Sequence, residues 1–455
     1  MSAPALPRLS PAALPAGLRL PAYDRQAPVG IVHFGLGAFA RAHLAWYTHH
    51  AMAAAGGDWM IAGVSMRSPE VGAQLNPQGG LYTLSAQTGS PELIGSIAQV
   101  LLAGSQGPAL VALLAAPTTH IVTFTVTEKG YCRAGDGQLD LALAAQGFYP
   151  LLAEAFARRR AAGLGGLTLL SCDNLADNGG QLRRLMTQWL EQRAPDLAPW
   201  FAQTCRCPAS MVDRIVPATT PADLAQVAGA LGCQDAAAVT TEAFSQWVIE
   251  DDFAGPRPAW DAVGATIVAD VAPYEAAKLR MLNGAHSALA YLGLERGYAY
   301  VHEAVADPAL RALVVALMGE AAPTIAAAPG QDLAAYGEAL LARFANPALK
   351  HRLIQIAMDG SQKIPQRWLA TLAGRDQACP AILAALGAWL RHIRGDNRAR
   401  WGALDDPRAA ELTAAFAAHG AQGIATALFG AGGLIASPWH PSAAALASLA
   451  QELAQ

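Results

Sequence analysis

Lys278, Asn283 and His286 occur in the spacing Lys-x4-Asn-x2-His, inside the helix-compatible run 274–286 that opens just after Pro273. A deprotonated lysine can act as a general base, an asparagine amide can donate to a developing oxyanion, and an imidazole can hydrogen-bond a substrate. Together they are what removal of a proton from an alcohol requires. At about 100° per residue, Glu275, Lys278, Asn283 and His286 fall within a sector of roughly 140°. A solvated polar stripe would show the same pattern. Against that reading, Leu279, Met281, Leu282, Ala285 and Leu289 flank the polar residues and predict that much of the helix is covered. Buried amides, ammonium groups and imidazoles are costly unless something polar meets them.

A second feature lies near the other end of the chain. Residues 30–34 read as a short buried strand, followed by Gly35-Leu-Gly-Ala-Phe-Ala40 and a helical run from Arg41 to His50. The order strand, glycine turn, helix gives G-x-G-x-x-A: Gly35 for the tight turn, Gly37 for close approach of a pyrophosphate, Ala40 for close helix packing. Phe34, Gly35, Leu36, Gly37 and Ala38 are therefore the expected cofactor-binding turn, with the helix N-terminus facing the phosphates. A plain glycine turn is the alternative. The next strand, 59–65, should end where an adenosine ribose would lie, and Arg67 and Glu70 follow it. An acidic residue there suits a 2′-hydroxyl and an arginine suits a 2′-phosphate, so the choice between NAD and NADP stays open.

These two features need a scaffold, and the chain has material for one. Its 455 residues exceed one ordinary core, and 53% are hydrophobic against 15% charged. Two domains are the natural expectation. A net charge of −4 with no basic run argues against nucleic-acid or anionic-membrane partners and favours small-molecule chemistry. The proline-broken stretch 1–25 lacks a signal-peptide core, and no apolar run reaches the roughly 20 residues that cross a bilayer. A soluble cytoplasmic protein is expected. The six cysteines are scattered, and Cys205-Arg-Cys207 has no second pair at zinc-like spacing, so reduced thiols and no metal site are expected.

From residue 30 to about 270, apolar runs at 31–34, 60–65, 120–126, 167–172 and 265–269 alternate with helical stretches. Such alternation predicts a parallel sheet covered by helices. Beyond Pro273 helical patterns dominate, at 308–322, 333–344, 350–358 and 380–393. The expected fold is α/β: residues 1–270 a Rossmann-like NAD(P)-binding domain, 271–455 a mostly α-helical domain for substrate binding and catalysis. Further motifs sit at strand ends. Thr125-Val-Thr-Glu-Lys-Gly-Tyr131 would place Thr127 and Lys129 near the nicotinamide end of a cofactor, or is a polar turn. In Ser171-Cys-Asp-Asn174, Asp173 or Asn174 could simply cap or turn the chain. Adjacent Asp213 and Arg214 more often form a structural ion pair than a catalytic one.

These motifs, read together, resemble the polyol-specific long-chain dehydrogenases, the group containing mannitol 2-dehydrogenase and fructuronate reductase. The likeness runs from about Ile31 to Trp368 and includes Gln246-Trp-Val-Ile-Glu-Asp-Asp-Phe253 and Ala357-Met-Asp-Gly-Ser-Gln-Lys-Ile-Pro-Gln-Arg367. The resemblance implies a metal-independent enzyme with Lys278 as general base and Asn174 and Asn283 as an oxyanion hole. It further implies that His286 contacts substrate, that Glu275 serves a proton path, and that Asp213 and Lys363 belong to the substrate pocket. It also implies NAD as cofactor, with NADP not distinguished, and a monomer. One departure is visible: relatives carry Phe-His-Arg where this chain has Phe39-Ala40-Arg41. The chemistry implied is interconversion of a polyol and a 2-ketose, mannitol and fructose being the first pair, with mannonate and fructuronate the alternative. A carboxylate substrate would need a further cation, for which Lys363, Arg367 and Arg352 are candidates. Lysine's reference pKa of about 10.4 must be lowered for it to act as base near neutrality. A silent dinucleotide-binding sensor is the reading from another class, and it would have no use for the Lys278 cluster.

Overall fold

The computed structural model describes residues 6–86, 90–135 and 137–454. The chain divides into two compact units, Met1–Val271 and Ala272–Gln455.

The first unit is built on a five-stranded sheet of β1 (Val29–Phe34), β2 (Met60–Ser65), β3 (Ile97–Leu102), β4 (Ile121–Phe124) and β5 (Thr168–Ser171), in the order β3-β2-β1-β4-β5. All neighbouring strands run parallel. Helices on both faces explain why the strands are almost continuously apolar, with β4 and β5 buried throughout. Phe34 stands level with Val64 and Phe124, and Phe124 with Ser171, so the loops after these strands open along one edge. Strand order reverses between β1 and β4, which is the crevice where open α/β sheets bind ligands.

Two sequence expectations change here. Thr266–Val268 is not in this sheet; it pairs with Gln246–Glu250, which in turn runs antiparallel to Ser210–Asp213. Its exposed Thr266 and half-buried Ile267 and Val268 mark an edge strand. The place in the parallel sheet belongs to Ile97–Leu102, which runs directly into the helical stretch Ala103–Ala115, broken at Gln106. The helix expected over 41–50 is also two pieces, α1 (Ala38–Ala42) and α2 (Leu44–Ala55). The break falls at His43, with φ −118° and ψ −87°, where the imidazole stacks on Phe39 and its Nε2 bonds the Gln246 carbonyl at 3.0 Å.

The second unit is helical, its core built around the fully buried Trp368, Trp389 and Tyr291. Pro308–Ala321, Leu333–Phe344, Leu353–Ala357 and Pro380–Arg394 lie where the periodicity placed helices. One departure matters for the chemistry: the run 274–286 is not a regular α-helix. Ala272–Ala277 and Gly284–Glu295 are joined by a π-helical turn at Lys278–Asn283, and a second π-turn, Pro365–Leu369, packs beside it. Among the described residues, no helix is long and apolar enough to cross a membrane.

Candidate active site

The glycine turn occupies the switch point. Gly35 has φ +90°, and a Cβ there would lie 2.3 Å from the Thr125 carbonyl oxygen, so only glycine fits between the ends of β1 and β4. Gly37 differs: its backbone is extended, and a Cβ would meet nothing nearer than Gly35 O at 3.8 Å. Packing does not require glycine at 37, so what its missing side chain leaves is open space over the turn. No side chain caps the N-terminus of α1, whose first N–H groups remain available to an anion. This cradle fits a pyrophosphate. Ala40 is fully buried, as close helix packing requires. Phe34 and Leu36 face the core, Phe34 stacked on Phe124 at 5.6 Å and Leu36 over Gly63, so each offers only its main chain to a cofactor. Gly35, Gly37 and Ala38 are half-exposed, and Arg67, Thr127 and Lys129 are exposed.

A hydrogen-bond chain that the sequence reading missed fixes this turn. The Thr125 hydroxyl donates to Gly35 O at 2.8 Å, so it accepts from His33 Nε2 at 2.9 Å. His33 is thereby the Nε2–H tautomer, and its Nδ1 accepts from the Thr123 hydroxyl at 2.8 Å. Complete burial pushes the His33 pKa down to about 3, so the ring stays neutral. The visible signal was a lone histidine inside an apolar strand.

Asp173 holds the neighbouring loop. Its carboxylate accepts from the N–H groups of Val126 and Thr127 at 3.0 and 2.9 Å and from the Tyr131 hydroxyl at 2.8 Å. Thr127 is thus kept at φ +63°, a conformation rare for threonine. Asn178 ties the same region to the next sheet by donating to the carbonyls of Asp173 and Ser210. Asp173 is therefore structural, whereas Asn174 beside it is exposed. Asp213 is 6% exposed, and Arg214 sends its guanidinium to the carbonyls of Ala42 and Glu242. Cys205 and Cys207 are buried free thiols, and among the described residues no group of three His, Cys, Asp or Glu could hold a metal ion.

In the helical unit the π-turn sharpens the polar face. One extra residue in a turn takes back about 100° of rotation, so Lys278, Asn283 and His286 span roughly 60° instead of roughly 140°. All three are buried, at 8, 8 and 7% exposure, which removes the solvated-stripe reading; Glu275 is half-buried. The Asn283 Nδ2 atom is buried without a hydrogen-bond partner. His286 packs against the rings of Phe344 and His351, with centroids at 4.5 and 5.2 Å. Burial first, then the His351, Arg343 and Arg367 charges, hold its pKa well below the usual histidine range. Neither Phe344 nor His351 was legible as part of this cluster, since nothing in the sequence links them to residue 286. Lys363 is half-buried, its Nζ donating to Met358 O at 2.6 Å with Asp359 at 3.8 Å.

A parallel sheet in this order, with a glycine cradle at its switch point, defines a Rossmann-type dinucleotide-binding protein. Comparison with known proteins takes the assignment further. The family descriptions "Mannitol dehydrogenase Rossmann domain" and "Mannitol dehydrogenase C-terminal domain" match residues 29–262 and 270–432. The chain belongs to the mannitol dehydrogenase family and is an oxidoreductase acting on CH–OH groups. It is 41% identical to the D-mannonate oxidoreductase of Escherichia coli over 89% of this chain and 88% of that protein. It is 39% identical to a mannitol 2-dehydrogenase of Phaeosphaeria nodorum, over 87% and 74% of the respective chains. Among solved structures it is similar to Pseudomonas fluorescens mannitol 2-dehydrogenase in ternary complex with NAD and D-mannitol. There the TM-score is 0.84 at 33% identity, covering 98% of this chain and 96% of that one.

Proposed function

We propose that this enzyme interconverts a secondary alcohol of an open-chain sugar alcohol or sugar acid with the corresponding 2-ketone, with Lys278 as general base and without a metal. The observation that carries the reading is the π-turn, which lines up buried Lys278 and His286 with an Asn283 amide that has no protein partner. Buried donors are normally satisfied, so a substrate oxygen is the natural partner of that amide. NAD is the proposed cofactor, supported by the NAD complex of the Pseudomonas fluorescens relative. Phe34, Gly35, Leu36, Gly37 and Ala38 would hold it through the main chain of the turn, with Arg67, Thr127 and Lys129 from the adjoining loops. It supplies the hydride chemistry when bound.

The chain's own residues then have separate tasks. Lys278 Nζ takes the hydroxyl proton. Asn283 Nδ2 donates to the same oxygen as charge develops on it, and the resemblance gives Asn174 the same task. His286, kept neutral, hydrogen-bonds a neighbouring hydroxyl without adding charge. Glu275, one turn before Lys278, relays the proton, while Asp213 and Lys363 contact the rest of the substrate. Mannitol with fructose and mannonate with fructuronate both suit this machinery. Initial rates of fructose and fructuronate reduction with NADH and NADPH test it. Turnover of at least one of them is expected, and inertness toward both would overturn the proposal.

A further inference from the structure

Arg367 sits on the second π-turn, which Trp368 fastens to the catalytic helix by donating from Nε1 to Gly284 O at 3.1 Å. Both hydrogen bonds of Arg367 come from a single nitrogen, Nη1, which reaches Asn283 O at 3.3 Å and the Ser287 hydroxyl at 2.6 Å. Ser287 stands one turn beyond Asn283 on the same side of the helix, and the Arg367 charge acts on His286, so the guanidinium borders the face that carries Asn283 and His286. Burial pulls the Arg367 pKa down to about 10, and no carboxylate compensates it. Arg159 and Arg214 are used differently. Arg159 grips carbonyls through Nε and Nη1, and Arg214 through all three nitrogens. The Nε–Nη2 edge of Arg367 holds no hydrogen bond to any described residue. That edge is the one that grips a carboxylate with two parallel N–H···O bonds.

We propose that Arg367 is the receptor for a substrate carboxylate, which makes the preferred substrate a sugar acid rather than a neutral polyol. The inference rests on the dehydrogenase reading above and names the substrate class of that same site. The other candidate cations serve less well: Lys363 is engaged with Met358 O and Asp359, and Arg352 is exposed. A half-buried cation without a counter-ion gains from an anionic ligand what a hydroxyl cannot supply.

The test compares kcat/KM for fructuronate and fructose, with NADH, in the wild type, Arg367→Gln and Arg367→Lys. The wild type should favour fructuronate. In Arg367→Gln the fructuronate-to-fructose ratio should fall by about 10- to 100-fold. Arg367→Lys, which keeps the charge but loses the planar fork, should fall between the two. A wild type that reduces fructose as well as fructuronate, or a ratio unchanged in Arg367→Gln, would overturn the carboxylate assignment while leaving the dehydrogenase reading intact. A wild type inert toward both would instead strike down that underlying reading. Even if the variants fail to fold, a wild type without a preference for fructuronate would overturn the assignment.

Discussion

Replacing Asn283 with leucine should raise stability and abolish most of the activity at once. The amide is 8% exposed and its Nδ2 has no partner, so the folded protein carries an unmet buried donor. Such a group costs about 1–3 kcal/mol. Leucine has a similar shape and nothing to satisfy, and the bond from Arg367 survives because it goes to the main-chain oxygen of residue 283. After allowance for imperfect packing, Asn283→Leu should gain about 1 kcal/mol, or about 2–4 °C in Tm for a domain of this size. The same change removes one donor to the developing oxyanion, a loss of about 10²- to 10³-fold in kcat. Denaturant unfolding and steady-state rates on one preparation measure both. The opposite signs are diagnostic, since a merely disruptive substitution lowers stability and activity together. A fall in stability beyond about 1 kcal/mol would show that the amide is satisfied in the fold, and turnover near the wild-type level would remove it from the oxyanion site.

The two glycines of the turn should separate folding from cofactor binding. Gly35→Ala forces a Cβ to 2.3 Å from Thr125 O at φ +90° and should yield little folded protein. Gly37→Ala meets nothing within 3.8 Å. It should keep its Tm yet weaken NADH binding by at least about tenfold in a fluorescence titration, because the methyl occupies the space left for phosphate. The pH dependence of stability follows from the buried imidazoles. His33 titrates at about 3 in the fold and His286 well below the ordinary 6.5, so below that value the unfolded chain binds protons that the folded chain does not. Their contribution is complete above pH 6.5 and is lost as pH falls toward the folded values, about 2 kcal/mol for His33 by pH 5. Denaturant midpoints at pH 7.5 and 5.5 check the sign, which His33→Asn should weaken.

The parts of the fold that rest on local pattern could be read in advance, and those that rest on distant contacts could not. The strand, glycine turn and helix at 29–42 carry their own reasons in Gly35 and Ala40. The helices of the second unit followed from periodicity. Thr266–Val268 was misplaced because strand pairing is settled by partners far along the chain, here Gln246–Glu250. The π-turn at Lys278–Asn283 has no signature in residue type. It is set by packing against Pro365–Leu369 and is supported by the Arg367 and Trp368 bonds to the Asn283 and Gly284 carbonyls. Regular helical geometry therefore found the right residues but spread them too widely. The Met358-Asp-Gly-Ser361 motif is largely architectural: a Cβ at Gly360 would strike Trp389 and Tyr291, and Ser361 is bound to Asp406.

Lys278→Ala tests the assignment of the base most directly. Polyol or sugar-acid oxidation should fall by about 10²- to 10⁴-fold while NADH affinity stays within about twofold, and added primary amines should restore part of the rate. Wild-type turnover in that variant would contradict the proposed role of Lys278.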